Sequence, residues 1–433
     1  MIRTKVILLV LMVVSSASAL AQEPYEVPAA VSPADVLPAG LLKGPHHTLA
    51  GEVKTEGYFH EFLIRSDFGD FAAAGTSMLY ARLREVQALA ALEEVSKSEV
   101  FVKAAGTSVL NVGKSVGKAV TDPEATVKGI GAGVQRFGEN LGRKAKKTAE
   151  SAKDAVAGGD EQQSGAASQS TADKAVDAGT SAAKGYFGVT GASRRWAQKL
   201  GVDPYTSNQV LAKALEDIGK IDAAGGIAAK VVVPVPTVVS KAADVSELVW
   251  GKDPQELAKL NEQRLAELGV DKKVAAAFLK NPAYSPSKQT RFVAALHAVR
   301  AAGCADYVDT AREAASEVGA EFFTESAEML AALHASGRVE AVLADSRAMV
   351  AGVGGKKAVA LLPLDSIRWT EASRNSLTEI AGRARKELAA ERLEIELTGR
   401  MTPRAQKEAE GIGWNVSQGV AGPVAPPQPA AGR

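Results

Sequence analysis

The side chains that could support a reaction lie where a predicted strand ends and a predicted helix begins. Asp365, Ser366 and Arg368 follow the apolar run 357–364, and in an open α/β sheet a ligand site usually lies beyond the carboxyl end of a strand. A carboxylate, a hydroxyl and an imidazole can together hydrolyse a substrate, so Asp365, Ser366 and His334 are the catalytic candidates of a hydrolase hypothesis. Plain turn and helix-cap chemistry explains the same residues and is favoured, because no glycine fingerprint or partner base stands at a fixed offset from them.

A second group of side chains contains the residue types that bind metal ions. Three of the five histidines lie in one stretch with three glutamates, namely His46, His47, His60, Glu52, Glu56 and Glu61. Their spacing matches no standard ligand set, and two adjacent histidines do not easily face one ion. The sequence therefore favours solvated or packing histidines and predicts no metal site.

Two further motifs are weak signals for cofactor or thiol chemistry. The motif Gly113-Lys114-Ser115 invites a phosphate-loop interpretation, but that loop requires a glycine where this chain has Ser108. The lone Cys304 has no second cysteine for a disulfide, and its helical position favours a small buried apolar residue over a nucleophile. We therefore expect no cofactor and no intramolecular disulfide.

The first 21 residues have the pattern of a cleaved signal peptide. Arg3 and Lys5 precede an apolar run that is too short to span a bilayer, and Ala19-Leu20-Ala21 is a small-x-small cleavage site. We expect export, with the mature chain beginning at Gln22 in the periplasm or outside the cell. Removing the two basic residues leaves 49 of the 51 Lys and Arg against 50 Asp and Glu, and this neutral balance gives no reason to expect nucleic-acid binding.

The segment 99–157 combines glycines four residues apart with valines and many basic residues. This pattern is compatible with an amphipathic arm on an anionic membrane surface. Two apolar side chains would enter the membrane with four basic ones above it, so the membrane-contact candidates are Phe137, Leu141, Arg143, Lys144, Lys146 and Lys147. A loosely attached, partly helical arm explains the same pattern, since each glycine costs about 1 kcal/mol relative to alanine in a helix.

Composition and periodicity divide the chain into units. Helix starts and stops recur through residues 253–337, most clearly in the capping box Asp253-Pro254-Gln255-Glu256. The predicted order is a signal peptide 1–21, an extended arm 22–47, a β-hairpin plus helix 48–98, the basic segment 99–157, a disordered linker 158–184, a helical core 185–337, a small α/β unit 338–418 and a disordered tail 419–433. The fold class is α+β and predominantly helical, with an antiparallel helical core and a mixed C-terminal sheet.

The small α/β unit carries alternating strand and helix signals. Its four predicted strands are Val339–Val350, Lys357–Leu364, Leu393–Leu397 and Trp414–Val416. The last two enclose a short predicted helix, which indicates a right-handed crossover between parallel strands. Farther upstream, the proline-containing apolar run Ile227–Val239 is expected to be an extended crossover rather than a membrane span.

These patterns predict an exported, non-enzymatic bacterial cell-envelope protein that acts by interaction. The expected partner is a cell-envelope protein or an anionic membrane surface contacted through the basic arm, and not a nucleic acid. The pattern specifies neither the identity of the partner nor an oligomeric state. The alternative is a secreted hydrolase with its site between the helical core and the C-terminal α/β unit, which requires Asp365, Ser366 and His334 to share one concave pocket.

Overall fold

The computed structural model describes residues 25–28, 30–105, 189–225, 243–337 and 339–427. Within these ranges the chain has the expected α+β fold, with an antiparallel N-terminal sheet and a mixed C-terminal sheet. The helices are α1 Pro33–Val36, α2 Ala39–Leu42, α3 Thr76–Ser96, α4 Glu99–Ala105, α5 Gly191–Leu200, α6 Gln209–Gly225, α7 Ala243–Gly251, α8 Pro254–Glu267, α9 Lys272–Lys280, α10 Pro286–Val299, α11 Cys304–Ala311, α12 Glu317–Ser336, α13 Glu371–Glu387 and α14 Pro403–Ile412. The strands are β1 Lys43–Gly44, β2 His47–Glu56, β3 Phe59–Ser66, β4 Gly69–Ala74, β5 Val339–Val342, β6 Met349–Val353, β7 Lys357–Leu362, β8 Ser366–Ile367, β9 Arg392–Leu397, β10 Arg400–Met401 and β11 Trp414–Gln418.

The N-terminal sheet is an antiparallel meander in the order β1-β2-β3-β4. Strand β2 pairs with β3 from Glu56 opposite Phe59, and β4 pairs with β3 as the return strand. The alternate side chains Phe62 and Ile64 are buried in the same apolar cluster as α3, as period-two alternation requires of a strand with one covered face. The hairpin predicted from that alternation is therefore present, extended into a four-stranded sheet.

Helices α5 and α6 belong to the apolar cluster of the N-terminal sheet. Trp196, Leu211 and Ile218 are buried there with Leu89 of α3. The sequence assigned both helices to the helical core 185–337, so the structure divides that predicted unit. Leu211 and Ile218 are seven residues apart and share one helix face. Periodicity identified this face but not the element that covers it.

Helices α8 to α12 form a second layer whose helix starts follow the sequence signals. Asp253 Oδ1 accepts the backbone N–H groups of Gln255 and Glu256 at 2.9 Å each, and the Glu256 carboxylate accepts the Asp253 N–H at 2.9 Å. Helices α10 and α12 pack against each other. The buried aromatic side chains of this layer are Phe278, Tyr284, Phe292, Tyr307, Phe322 and Phe323.

The C-terminal sheet has the order β11-β9-β7-β6-β5. Strands β7, β9 and β11 are parallel, and α13 and α14 connect them, so the predicted crossover is present. Strands β5, β6 and β7 are antiparallel. The predicted strand Val339–Val350 is two strands, because a turn that includes Asp345 in the left-handed region (φ 48°) separates them. Helix α12 contacts β5, β6 and β7 and joins this sheet to the helical layer.

The two terminal segments differ from the predicted extended arm and disordered tail. Residues 30–47 include two one-turn helices, with Leu37 and Leu41 buried in the N-terminal cluster. Residues 419–427 pack on the molecule: the N–H of Val420 donates to Leu397 O at 3.1 Å, and Pro427 is buried. The signal peptide 1–21, the linker 158–184, the crossover 227–239 and the basic segment beyond residue 105 lie outside the described residues.

Candidate functional site

A cavity of about 660 Å³, here called the central cavity, lies at the carboxyl ends of β7, β9 and β11. Pro363, Thr398 and Gly419, which follow these three strands, all line it. Its other walls come from β3, from the start of α3 and from α12. Ligands of open α/β sheets bind at this edge, and the cavity lies between three structural units. It is therefore the candidate functional site.

Asp365 holds two of these walls together. Its Oδ2 accepts the backbone N–H of His60 at 2.8 Å, and its Oδ1 accepts the N–H of Thr76, the first residue of α3, at 3.0 Å. The backbone N–H groups of Asp365 and Ser366 both donate to Tyr58 O at 3.1 Å. A carboxylate that accepts several backbone N–H groups at a helix start acts as a cap. The main role of Asp365 is thus to fix the N-terminal sheet and α3 to the C-terminal unit.

Thr55 positions two of the polar side chains in the cavity wall. Its carbonyl oxygen accepts a hydrogen bond from Nη2 of Arg368 at 2.9 Å, and its Oγ1 lies 2.8 Å from Nδ1 of His60. Both partners line the central cavity together with Thr55. Burial lowers the pKa of His60, against an opposing effect of Asp365. The imidazole is therefore neutral at pH 7 and serves as a hydrogen-bonding group.

Arg368 is a half-buried cationic group of the cavity wall with unused hydrogen-bonding capacity. Its bond to Thr55 uses Nη2 alone; Nε is buried and makes no hydrogen bond within the described ranges. Among those residues no carboxylate lies within 4.0 Å of the guanidinium. Burial lowers the pKa of Arg368, while the more distant Glu26 and Glu56 oppose that change. A planar guanidinium with unused donors matches a carboxylate or phosphate.

Two glutamates of α12 line the cavity, and they differ in their bonding. Glu321 is paired with Arg291 at 3.0 Å and with Lys288 at 3.4 Å. Glu325 is 4 % exposed, and its Oε1 has no hydrogen-bond partner in the described part of the chain. Burial first, and then the neighbouring Glu321, raise the pKa of Glu325 well above its ordinary value. Burial therefore favours the neutral, protonated form of the Glu325 carboxyl group.

The remaining wall of the cavity is largely apolar. Phe59, Met78 and Phe322 line it, and the segment 419–427 contributes Val420 and Val424. Such a lining removes apolar ligand surface from water, whereas the few polar groups fix orientation. The arrangement suits a ligand that has both an apolar body and a charged group.

The structure brings together two of the three hydrolase candidates. Asp365 and Ser366 line the central cavity, but His334 is not among the residues that line it. His334 lies near the end of α12, nine residues after Glu325 and so about 13 Å farther along the helix. Its Nδ1 accepts the backbone N–H of Val339 at 3.3 Å, which is a helix-end role. The six membrane-contact candidates, Phe137, Leu141, Arg143, Lys144, Lys146 and Lys147, lie outside the described residues.

Sequence reasoning missed the cavity roles of His60 and Glu325. His60 lies 305 residues before Asp365, so no local spacing relates the two. Glu325 did carry a signal, because Glu321, Glu325 and Glu328 recur at helical spacing within a stripe of buried aromatic residues. Three acidic side chains on a covered helix face require partners, and that requirement points to a polar site.

A smaller cavity of about 230 Å³ adjoins the first, with Ser77 and Glu321 lining both. Most of its charged groups form ion pairs: Lys288 lies 2.8 Å from Glu317, and Arg291 lies 2.7 Å from Glu328. Arg84 instead donates to the carbonyl oxygen of Ala425 at 3.1 Å. Burial alone would raise the pKa of Glu317, but the positive charges of Lys288 and Arg82 lower it to about 2. These groups satisfy one another, so the smaller cavity is a structural ion-pair network between α3, α10 and α12.

Neither a membrane-spanning helix nor a metal-binding cluster is found within the described ranges. No helix there combines the length and apolar character needed to cross a bilayer. No group of three or more His, Cys, Asp or Glu side chains in those ranges could hold a metal ion. Comparison with protein-family models, with curated proteins and with solved structures found no match to this chain.

Proposed function

We propose that this protein is an exported, non-enzymatic binding protein whose central cavity holds an amphiphilic anion. The ligand's charged group pairs with Arg368, and its apolar body lies against Phe59, Met78 and Phe322. Export and a cell-envelope location are the part of the proposal that rests on the leader sequence. The protein acts there by interaction, through a small molecule held in the cavity.

The observation that carries the proposal is the guanidinium of Arg368. A half-buried arginine normally has a carboxylate or a full set of acceptors, because an unpaired buried charge is costly. Here Nε lacks a hydrogen-bond partner among the described residues, and the side chain borders a cavity. A bidentate anionic group would supply the acceptors that Arg368 lacks.

The size and lining of the cavity support an amphiphile over a small inorganic anion. A volume of about 660 Å³ falls in the range of about 300–1,000 Å³ that is typical of sites for drug-sized ligands. Phosphate alone would fill a small part of it and leave the apolar wall formed by Phe59, Met78 and Phe322 uncovered. A medium-chain carboxylate covers that wall and presents one anionic end.

Isothermal titration calorimetry with dodecanoate and with uncharged dodecan-1-ol, both below their aggregation concentrations, tests this proposal. We expect dodecanoate to bind more tightly than the alcohol, and Arg368→Gln to weaken dodecanoate binding at least tenfold, since hydrogen bonds to charged groups contribute about 1.5–3 kcal/mol. The matched control is Arg392→Gln, because Arg392 is exposed at the opposite end of β9. Equal binding of both probes, or an equal effect of both substitutions, would refute the proposal.

A hydrolase is the second candidate, supported by Ser366 and the neutral His60, which line the same cavity. A serine hydroxyl can act as a nucleophile when a neutral imidazole accepts its proton. Hydrolysis of p-nitrophenyl dodecanoate by the purified protein, abolished by Ser366→Ala and by His60→Gln, would favour this function. Ester turnover at the buffer rate, together with Arg368-dependent dodecanoate binding, would favour the binding protein.

A further inference from the structure

Three glutamates of α12 form ion pairs with two cations of α10. The glutamates are Glu317, Glu321 and Glu328, and the cations are Lys288 and Arg291. Nε and Nη2 of Arg291 donate to the two carboxylate oxygens of Glu328 at 2.9 and 2.7 Å, and Nη1 donates to Glu321 at 3.0 Å. Lys288 pairs with Glu317 and Glu321. Glu325 stands between these pairs without an ion pair in the described part of the chain.

The bonding capacity of Glu325 is only partly used. Ser77 of α3 hydrogen-bonds to its carboxyl group, but Oε1 has no hydrogen-bond partner within the described ranges. The groups that face it are Glu321 and Glu328, which favour its neutral form, and Arg291, which opposes them. Burial outweighs that opposition and favours the protonated form, which has one O–H donor and remaining acceptor capacity.

We infer that Glu325 is a specificity-determining residue of the central cavity, and that the ligand is a medium-chain carboxylate bearing a hydroxyl group that hydrogen-bonds to it. This inference rests on the proposed function, because the same ligand pairs its carboxylate with Arg368. A hydroxyl both donates and accepts, and so it complements a neutral carboxylic acid. A site built with such a group discriminates against the analogue that lacks the hydroxyl, because the buried oxygen then stays unpaired.

Glu325 differs in this respect from the other polar groups of the cavity. Glu321 is held by Lys288 and Arg291, and Asp365 accepts backbone N–H groups from both His60 and Thr76. Neither carboxylate has the spare capacity of Glu325. The hydroxyl of the ligand is therefore assigned to the α12 wall, and its carboxylate to the wall formed by the C-terminal unit.

Calorimetric titration with three probes tests the assignment: dodecanoate, 3-hydroxydodecanoate and 12-hydroxydodecanoate. We expect at least one hydroxylated probe to bind the unmodified protein about threefold to tenfold more tightly than dodecanoate, as one satisfied hydrogen bond implies. Glu325→Gln keeps a donor and an acceptor and should retain the preference. Glu325→Met has a similar volume without hydrogen-bonding groups, and it should abolish the preference while dodecanoate still binds.

The outcomes separate the two proposals. If dodecanoate binding depends on Arg368 but no hydroxylated probe is preferred, or if Glu325→Met keeps the preference, Glu325 does not determine specificity. If none of the three probes binds the unmodified protein, the amphiphile proposal fails and this assignment fails with it. Thermal unfolding of both Glu325 variants shows whether each is folded. A folded Glu325→Gln variant that no longer prefers the hydroxylated probes would also overturn the inference.

Discussion

Oδ1 of Asp365 accepts the backbone N–H of Thr76 at 3.0 Å and so caps a helix that begins 289 residues earlier in the chain. The residue before that helix, Gly75, has φ 90° and no side chain to serve as a cap. A Cβ at Gly75 would lie 3.3 Å from the ring of Phe59. The C-terminal unit therefore supplies the cap that α3 lacks, and this contact forms one edge of the central cavity.

Replacing Asp365 with alanine should lower the free energy of unfolding by about 1–3 kcal/mol, because the cap is lost and two backbone N–H groups lose their acceptor. Urea denaturation followed by circular dichroism measures this change. Ser366→Ala is the matched control, since the Ser366 side chain makes no hydrogen bond to the described residues, and a change within about 0.5 kcal/mol is expected. Equal destabilisation by both substitutions would contradict the capping role.

Glu317→Gln should destabilise the protein by about 2–3 kcal/mol. Glu317 accepts a hydrogen bond from Lys288, which is buried, and its side chain is 34 % exposed. Removing Glu317 leaves the buried Lys288 with only the more distant carboxylate of Glu321, at 3.4 Å, although solvent reduces the cost. The comparison is Glu267→Gln, which removes an ion pair with His297 and Arg300 at the surface and should destabilise the protein less than Glu317→Gln. Denaturation of the two variants at pH 7 distinguishes them.

The lowered pKa of Glu317 predicts that the stability of the protein depends on pH in the acidic range. Its folded-state pKa of about 2 lies below the ordinary value of 4.5, so the unfolded chain binds more protons in that interval. The contribution of Glu317 is fully present above about pH 4.5 and is lost as the pH falls towards 2. The stability difference between the unmodified protein and Glu317→Gln should therefore shrink between pH 5 and pH 3, and a constant difference would argue against the assignment.

The buried carboxyl group of Glu61 should make the protein less stable as the pH rises, which is opposite to the effect of Glu317. Burial, with Glu56 as the next cause, raises the pKa of Glu61 to about 7. The folded state then binds more protons than the unfolded state between pH 4.5 and 7, and the free energy of unfolding falls as the pH rises through that window. Glu61→Gln should stabilise the protein by about 1 kcal/mol at pH 8 and leave stability unchanged at pH 4. Glu52→Gln, at an exposed position of β2, should change stability little at either pH.

Gly399, which lines the central cavity, should not tolerate alanine. A Cβ there would lie 1.9 Å from the carbonyl oxygen of Asp365 and 2.5 Å from that of Leu364. Both are backbone atoms in the cavity wall, so we expect Gly399→Ala to cost about 1–3 kcal/mol or more. Gly382→Ala is the control, because open space surrounds Gly382 in α13 and alanine should stabilise that helix by about 1 kcal/mol. Changes in melting temperature of the same sign for Gly399→Ala and Gly382→Ala would be inconsistent with this packing.

Much of the secondary structure could be predicted because its determinants are local. Asp253, Ser285 and Thr402 cap the helices that follow them, and a cap acts within three residues of its own position. The alternation through β3 predicted a strand because successive side chains point to opposite faces. The placement of segment 419–427 could not be predicted in this way, because it depends on hydrogen bonds to Leu397 and Gly399.

The amino-acid sequence by itself determined the fold class, the helix starts and the position of Asp365 and Ser366 after a buried strand. Only the tertiary structure decided that His60, Glu325 and Arg368 line one cavity, and that Asp365 serves as the cap of a distant helix. The physical reason is the range of the interactions involved. Caps and periodicity act over a few residues, whereas burial, unpaired donors and shifted pKa values arise where segments hundreds of residues apart exclude water from one another.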